Sequence, residues 1–332
     1  PSAVVAGLAI ALKSYPKMKY LVHGQQDLLK TLIKQEKLTQ FCTIIDTNRV
    51  VSMSDKPGQV MRSGQGTSMW SAITSVKQKE ADACVSCGNT GALLAVSMIR
   101  LRMLPGINRP AISILWPSLG PNGFNVMLDV GADIKADEKD LLQFALMGSS
   151  YSRNGLGIQN PKVGLLNVGT EEHKGRPELK VAYELISTAA DYENFKFIGF
   201  VEGSDIPSSK VDVIVTDGFT GNIALKSAEG TASFIANALK SSFKQNILSQ
   251  ITALIANRPL RRLKKQTDPR RVNGGVFLGL NGTVVKSHGA ADPTAVAAAV
   301  GLAYKLATAQ FNSQLAERVA ACLLYTSPSP RD

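Results

Sequence analysis

Val211-Asp212-Val213-Ile214-Val215-Thr216-Asp217-Gly218-Phe219-Thr220-Gly221-Asn222-Ile223-Ala224-Leu225-Lys226 is an apolar run that halts at a Gly/Thr/Asn turn and restarts as a helix. The pattern recurs upstream, where Ala83-Cys84-Val85-Ser86-Cys87 meets Gly88-Asn89-Thr90-Gly91 and continues as Ala92-Leu93-Leu94. A strand feeding a helix through so small a turn aims backbone N–H groups and the positive end of the helix dipole at one spot. That geometry binds anions, phosphate above all.

Working outward, the alternation is regular. Strand Phe124–Val130 leads through Gly131-Ala132-Asp133 to a helix at Asp137–Asn154. Strand Lys162–Val168 leads through a polar loop to a helix from about Pro177 to Ala190, and strand Phe195–Val201 precedes Val211–Val215, whose turn opens a helix at Asn222–Phe243. The strands are nearly continuous in apolar residues, as expected when helices cover both sheet faces. The βαβα order predicts an α/β protein with a mostly parallel sheet. Ligands in such sheets sit at the carboxyl ends of the strands, where all these turns are expected to gather.

Before this region the pattern predicts helices at 1–13, 25–35 and 68–79 and short strands at 18–22 and 41–45. After it, Gly274–Leu280 and Thr283–Lys286 read as strands around an Asn281-Gly282 turn, followed by one Ala-rich helix from about Pro293 to Leu324. Residues 325–332 read as a disordered, non-native-looking tail, and 1–324 as a single domain.

The 332 residues are 44% hydrophobic and 19% charged, ordinary for a globular protein with a substantial core. No apolar run is long enough to span a membrane. Four cysteines are too few for a disulfide framework, which fits a reducing cytoplasm. From Arg258 to Arg271 seven residues are Lys or Arg and one is Asp, so this stretch holds six of the net charge of +11. Its basic residues Arg258, Arg261, Arg262, Lys264 and Lys265 adjoin an apolar helical stripe at 247–255, making 244–272 a protruding amphipathic, basic helical segment. Three readings stay open for it: a dimer surface, a helix resting on an anionic membrane, or a contact for an acidic protein. Localised charge without interleaved aromatics argues against nucleic acid.

Nucleotide fingerprints are missing. Gly64-Gln65-Gly66 and Gly155-Leu156-Gly157 lack a third glycine, no Gly-Lys pair exists for a P-loop, and no Gly-x-Ser-x-Gly elbow occurs. The anion is therefore a small phosphate or a phosphate-bearing acid. Cys84-Val85-Ser86-Cys87 lies in a strand and reads as structural. His173 and His288 stand in glycine-flanked turns beside lysines, Lys174 and Lys286, which suit an oxyanion or phosphate. Lys226, one turn into its helix, faces either ligand or solvent. Asp129, Glu171, Glu172 and Asp217 lie at strand ends without metal-ligand spacing and read as groups that orient donors; no metal or cofactor is expected.

With Ala81-Asp82-Ala83 through Ala92, Leu128-Asp129-Val130-Gly131-Ala132, Gly164-Leu165-Leu166-Asn167-Val168-Gly169-Thr170-Glu171, Val215–Asn222 and Lys286-Ser287-His288-Gly289 in order, the chain resembles the bacterial PlsX family of acyl-acyl-carrier-protein:phosphate acyltransferases, most closely its alphaproteobacterial branch. The resemblance covers most of residues 2–321. It implies a three-layer α/β/α fold like that of phosphate acetyltransferases and isocitrate dehydrogenases. It also implies a homodimer, loose association with the inner face of the cytoplasmic membrane, and attack of inorganic phosphate on acyl-acyl-carrier protein. The acyl phosphate so formed would pass to a membrane glycerol-3-phosphate acyltransferase. Members of the family begin with a strand and an Asp-Ala-Met-Gly-Gly-Asp loop ahead of the segment matching Pro1-Ser2. That stretch is missing here, which the resemblance takes to leave one wall of the site unbuilt; Asp133 stands where the family usually has Asn.

On this reading phosphate sits at Gly88, Asn89, Thr90 and Gly91 with Asn167 and Thr220, Gly221 and Asn222, and Glu171 lies nearby. Lys174, Lys226 and His288 neutralise charge, while Asp129 and Asp217 orient donors. Rival readings are a coenzyme A-dependent phosphate acetyl- or butyryltransferase and a non-catalytic membrane scaffold of lipid synthesis.

Overall fold

The computed structural model describes residues 1–171, 173–244, 252, 256, 258 and 274–326. Its chain order is α1 (Ser2–Ser14), β1 (Tyr20–Gly24), α2 (Gln26–Gln35), β2 (Cys42–Asp46), α3 (Pro57–Ser63), α4 (Ser68–Lys77), β3 (Ala83–Ser86), α5 (Thr90–Leu101), β4 (Ala111–Pro117) and β5 (Phe124–Leu128). Then follow α6 (Glu138–Ser150), β6 (Lys162–Leu166), α7 (Pro177–Ala190), β7 (Lys196–Val201), β8 (Val213–Val215), α8 (Gly218–Lys244), β9 (Gly275–Leu278), β10 (Thr283–Lys286), α9 (Pro293–Thr308) and α10 (Phe311–Thr326).

Strand side chains alternate between two cores, which builds three layers. Val126, Leu128, Val213, Val215, Val276 and Val285 pack with α6, α7, α9 and α10 on one face. Met127, Ile214, Phe277 and Val284 pack with α3, α4, α5 and the start of α8 on the other. A third cluster joins α1, α2, β1 and β2 to α9 through Val296 and Val300. No helix among the described residues is long and apolar enough to cross a membrane.

The main sheet runs β3-β10-β9-β4-β5-β8-β6-β7, and β1 pairs with β2 in a separate two-stranded parallel sheet. Within the main sheet β3–β10, β5–β8, β8–β6 and β6–β7 are parallel, while β10–β9, β9–β4 and β4–β5 are antiparallel. Most pairings are parallel, as the sequence predicts. Three reversals in succession nonetheless invert the strand direction between β10 and β5. The turns after β3 and β10 therefore leave one end of the sheet, and those after β5, β6 and β8 leave the other. The expectation that all the turns gather at one end is corrected by this polarity switch.

Strand β4 is an element the sequence reading did not anticipate. The single expected C-terminal helix is two, broken at Gln310 with φ 50, because Phe311 is buried edge-on against Tyr151 at 6.0 Å. Helix α10 continues to Thr326, so Tyr325 and Thr326 are helical where a disordered tail was expected. Residues 327–332 lie outside the described residues.

Candidate active site

At one end of the sheet, α5 begins at Thr90 with Asn89 as its N-cap. Asn89 Oδ1 accepts the Ala92 N–H at 3.0 Å, and its amide donates to the carbonyls of Met53 and Asp55, both at 3.0 Å. Asn89 therefore fastens the 52–55 loop over the helix start, using its whole side chain in structure. The Gly88 N–H donates to Ser86 Oγ at 3.2 Å. Of the expected cradle, this leaves the amides of Thr90 and Gly91 without a protein acceptor among the described residues. Gly91 must be glycine, since a Cβ there would lie 2.8 Å from Pro57 Cγ.

Beside this turn, Lys286 pairs in register with Ser86 across the parallel β3–β10 ladder. Its side chain is buried, 9% exposed, and its ammonium donates to the Ser287 carbonyl. No carboxylate pairs with it among the described residues. Burial lowers its pKa from the ordinary lysine value, nearby Lys226 lowers it further, and Cys87 opposes both. His288 is exposed, and its Nδ1 accepts the Ala290 N–H at 3.1 Å, which leaves Nε2 to carry any donated proton.

At the other end of the sheet two buried carboxylates organise the loops. Asp129 is fully buried and accepts the N–H groups of Ile112, Gly131, Ala132 and Asp133 at 2.8–3.1 Å. Burial pushes its pKa above the usual carboxylate value, against the pull of these amides. Asp217 is 1% exposed, accepts Thr220 N at 2.8 Å and Thr220 Oγ1 at 3.0 Å, and pairs with Arg176.

These contacts place the Thr220 and Gly221 amides, expected to cradle an anion, within the cap of α8. Helix α8 begins at Gly218 rather than Asn222. Asp217 caps it with its own negative charge, and its carbonyl takes the Gly221 N–H at 2.9 Å. The donors of Thr220 and Gly221 are thus already used, and a second anion there would meet a carboxylate. Asp129 and Asp217 each hold a loop through these hydrogen bonds. Gly221 brings α8 against the Asp129 carbonyl, where a Cβ would lie 1.9 Å from the oxygen.

Asn167 is buried, donates to the Lys174 carbonyl at 3.1 Å and leaves its Oδ1 without a partner. Lys174 folds over Gly169 and pairs with Glu171 at 2.7 Å, a bond that lowers the Glu171 pKa. Asn222 is exposed beside Gly131, and Lys226 is exposed and bonded to Glu229 at 2.7 Å. Glu172, Arg261, Arg262, Lys264 and Lys265 lie outside the described residues; Arg258 is exposed.

Helix α8 links the two ends. Ala224 and Leu225 pack on the core of the α5 face, and the next residue, Lys226, feels Lys286 electrostatically. The structure thus brings Thr90, Gly91, Lys226, Lys286 and His288 toward one side. Asp129, Asn167, Lys174 and Asp217 follow strands β5, β6 and β8, which run opposite to β3 and β10. Sequence reading missed Arg176, which lies in the same polar loop as Lys174, and Arg109, which pairs with Asp133 and with Asp140 at 3.4 Å. A cavity of about 820 Å³ lies apart from these residues, beside β2 and α4, where Arg100 stacks over Trp70 at 5.4 Å.

Comparisons with known proteins follow the same line. The chain is 61% identical over 321 residues to the phosphate acyltransferase of Paracoccus denitrificans, covering 96% of this chain and 87% of that one. It is 63% identical over 321 residues to the phosphate acyltransferase of Dinoroseobacter shibae, covering 96% and 83%. A phosphotransacetylase from Streptococcus pyogenes shares the fold at TM-score 0.60 and 18% identity, covering 92% of this chain and 91% of that one. The model of the family described as fatty acid synthesis protein matches residues 1–314, and the chain belongs to that family.

Proposed function

We propose that the chain transfers a fatty acyl group from acyl-acyl-carrier protein to inorganic phosphate, giving acyl phosphate for phospholipid synthesis. The observation that carries this reading is the identity of 61–63% over 96% of the chain to proteins named phosphate acyltransferase. The geometry supports it. Phosphate is already a nucleophile, so the protein needs only to hold a dianion against a thioester and stabilise the oxyanion that forms.

A phosphate oxygen attacks the thioester carbonyl, the carbon–sulfur bond breaks, and the proton of hydrogen phosphate ends on the carrier thiolate. Thr90 and Gly91 amides, Lys226 and His288 supply donors at this step. Asp129 and Asp217 keep the two loops and the α8 start in place. Loss of one donor lowers the rate on the order of 10²–10³-fold.

Further parts of the reading rest on surface character. Helix α8 exposes Phe219, Ile223, Phe234 and Ile235, while only Gly218 and Gly221 are buried along its length, which suits a second copy of the chain. The basic segment suits an acidic carrier protein or the inner membrane face. The product would be consumed by a membrane glycerol-3-phosphate acyltransferase.

The test is phosphate-dependent release of carrier thiol, run beside acyl-coenzyme A as the alternative donor. The reading expects release from the carrier-bound substrate at far higher kcat/KM. Release from acyl-coenzyme A alone would replace it with the coenzyme A-dependent activity, and no release from either would leave a scaffold.

A further inference from the structure

We propose that Lys286 binds the attacking phosphate, holding it between the open amides at the α5 start and Lys226 on α8. The inference rests on the phosphate acyltransferase reading and gives Lys286, read from sequence only as a donor beside His288, a defined role.

Three observations carry it. Lys286 is nine-tenths buried, and no carboxylate pairs with it among the described residues. A buried ammonium without a counter-charge is among the costlier arrangements in a protein interior, and it persists where a ligand supplies the missing charge. Secondly, its neighbours are donors. Register places it beside Ser86, whose hydroxyl fixes Gly88, and the amides of Thr90 and Gly91 stand unpaired just beyond. Thirdly, a second lysine acts on Lys286. Lys226 on α8, itself exposed and bonded to Glu229, adds to the positive potential at Lys286 that an anion would offset.

A dianionic phosphate meets every requirement: it accepts from ammonium and amides together, and its charge offsets both lysines. His288, exposed at the end of the same strand, lies farther out in the mouth of the site.

Thermal unfolding of the full chain with and without inorganic phosphate tests the assignment, using wild type, Lys286→Met and Lys286→Arg. Phosphate at about a hundredfold its Kd raises the wild-type Tm by roughly 4 °C. Lys286→Met should melt higher than wild type without phosphate, lose the phosphate-induced rise, and lose about 10²-fold in kcat/KM for phosphate. Lys286→Arg should keep part of the rise. A Lys286→Met chain that retains both the full rise and the activity overturns the assignment. So does one that cannot fold, because a lysine kept for a ligand is dispensable to the fold.

A phosphate ester on the carrier's prosthetic arm has the same chemistry. Stabilisation by carrier protein but not by inorganic phosphate would move Lys286 from nucleophile to carrier recognition and overturn the proposal. A wild type that neither responds to phosphate nor forms acyl phosphate would instead remove the functional reading itself.

Discussion

Replacing Gly221 with alanine probes how closely α8 must approach the Asp129 loop. The new Cβ would lie 1.9 Å from the Asp129 carbonyl oxygen, 3.0 Å from its carbon and 3.1 Å from Thr216 Cγ2. Carbon–oxygen contacts settle near 3.3 Å, so α8 must retreat by roughly 1.4 Å. Overpacking of this kind costs about 3 kcal/mol, and helix propensity returns about 1 kcal/mol for Gly to Ala. The net loss of about 2 kcal/mol corresponds to a fall in Tm of roughly 3 °C for a chain of this length. The retreat carries Lys226 with it, and a displacement near 1 Å can cost on the order of 10²-fold in kcat/KM. Gly230 lies in the same helix, and no atom would lie within 4 Å of an added Cβ. Gly230→Ala should therefore raise Tm by about 1 °C and leave the rate unchanged. Thermal unfolding and acyl phosphate formation by both variants decide the matter. A Gly221→Ala enzyme with wild-type Tm and rate would refute the close packing of α8 and its role in positioning Lys226.

Other consequences follow from the same contacts. Asn89→Ala removes a helix cap and the donor to the 52–55 loop, so Tm should fall by about 3 °C and the KM for phosphate should rise; calorimetry and initial rates check this. For Lys286 the folded pKa lies below its ordinary 10.5, so the unfolded chain keeps its proton to higher pH. Stability of the phosphate-free chain should rise through the window below 10.5, as the folded lysine loses its charge first. Over the same window, binding of phosphate should weaken in wild type and not in Lys286→Met; paired melts across that window measure both. Charge reversal at Arg261 and Arg262 should weaken use of the carrier-bound substrate and flatten its salt dependence, while leaving the KM for phosphate unchanged.

Much of the architecture was legible because strand periodicity and turn chemistry are local. The runs at Ala83 and Val213 and the Gly/Asn/Thr turns after them announce β3–α5 and β8–α8. The polarity of the sheet was not legible. Strand β4 follows Pro110 and ends at Pro117, and Ser113 interrupts its short apolar run. Its antiparallel pairings with β5 and β9 are tertiary facts, and they decide which turns share an end of the sheet. The break at Gln310 likewise comes from docking of Phe311, not from a glycine or proline.

The candidate site shows the same division. Asp217 carries a local signal, an aspartate three residues ahead of Thr220 at a helix start, and that signal marks a cap more directly than a ligand site. The carboxylate takes the Thr220 donors that the anion reading assigned to phosphate. The sequence marks Lys286 as a donor beside His288 at the end of a strand. Only the packing of β3, β9 and α8 around it reveals a buried charge with no carboxylate partner among the described residues.

The account's central claim is direct transfer of the acyl group to phosphate held at the α5 end of the sheet. The most direct measurement is a single turnover with acyl-acyl-carrier protein and oxygen-18-labelled phosphate, with mass analysis of both product and protein. The account predicts one labelled acyl phosphate per thiol released, no release without phosphate, and no acyl chain on the protein. Thiol release without phosphate, or an acyl chain attached to Cys87 beside Lys286, would contradict it.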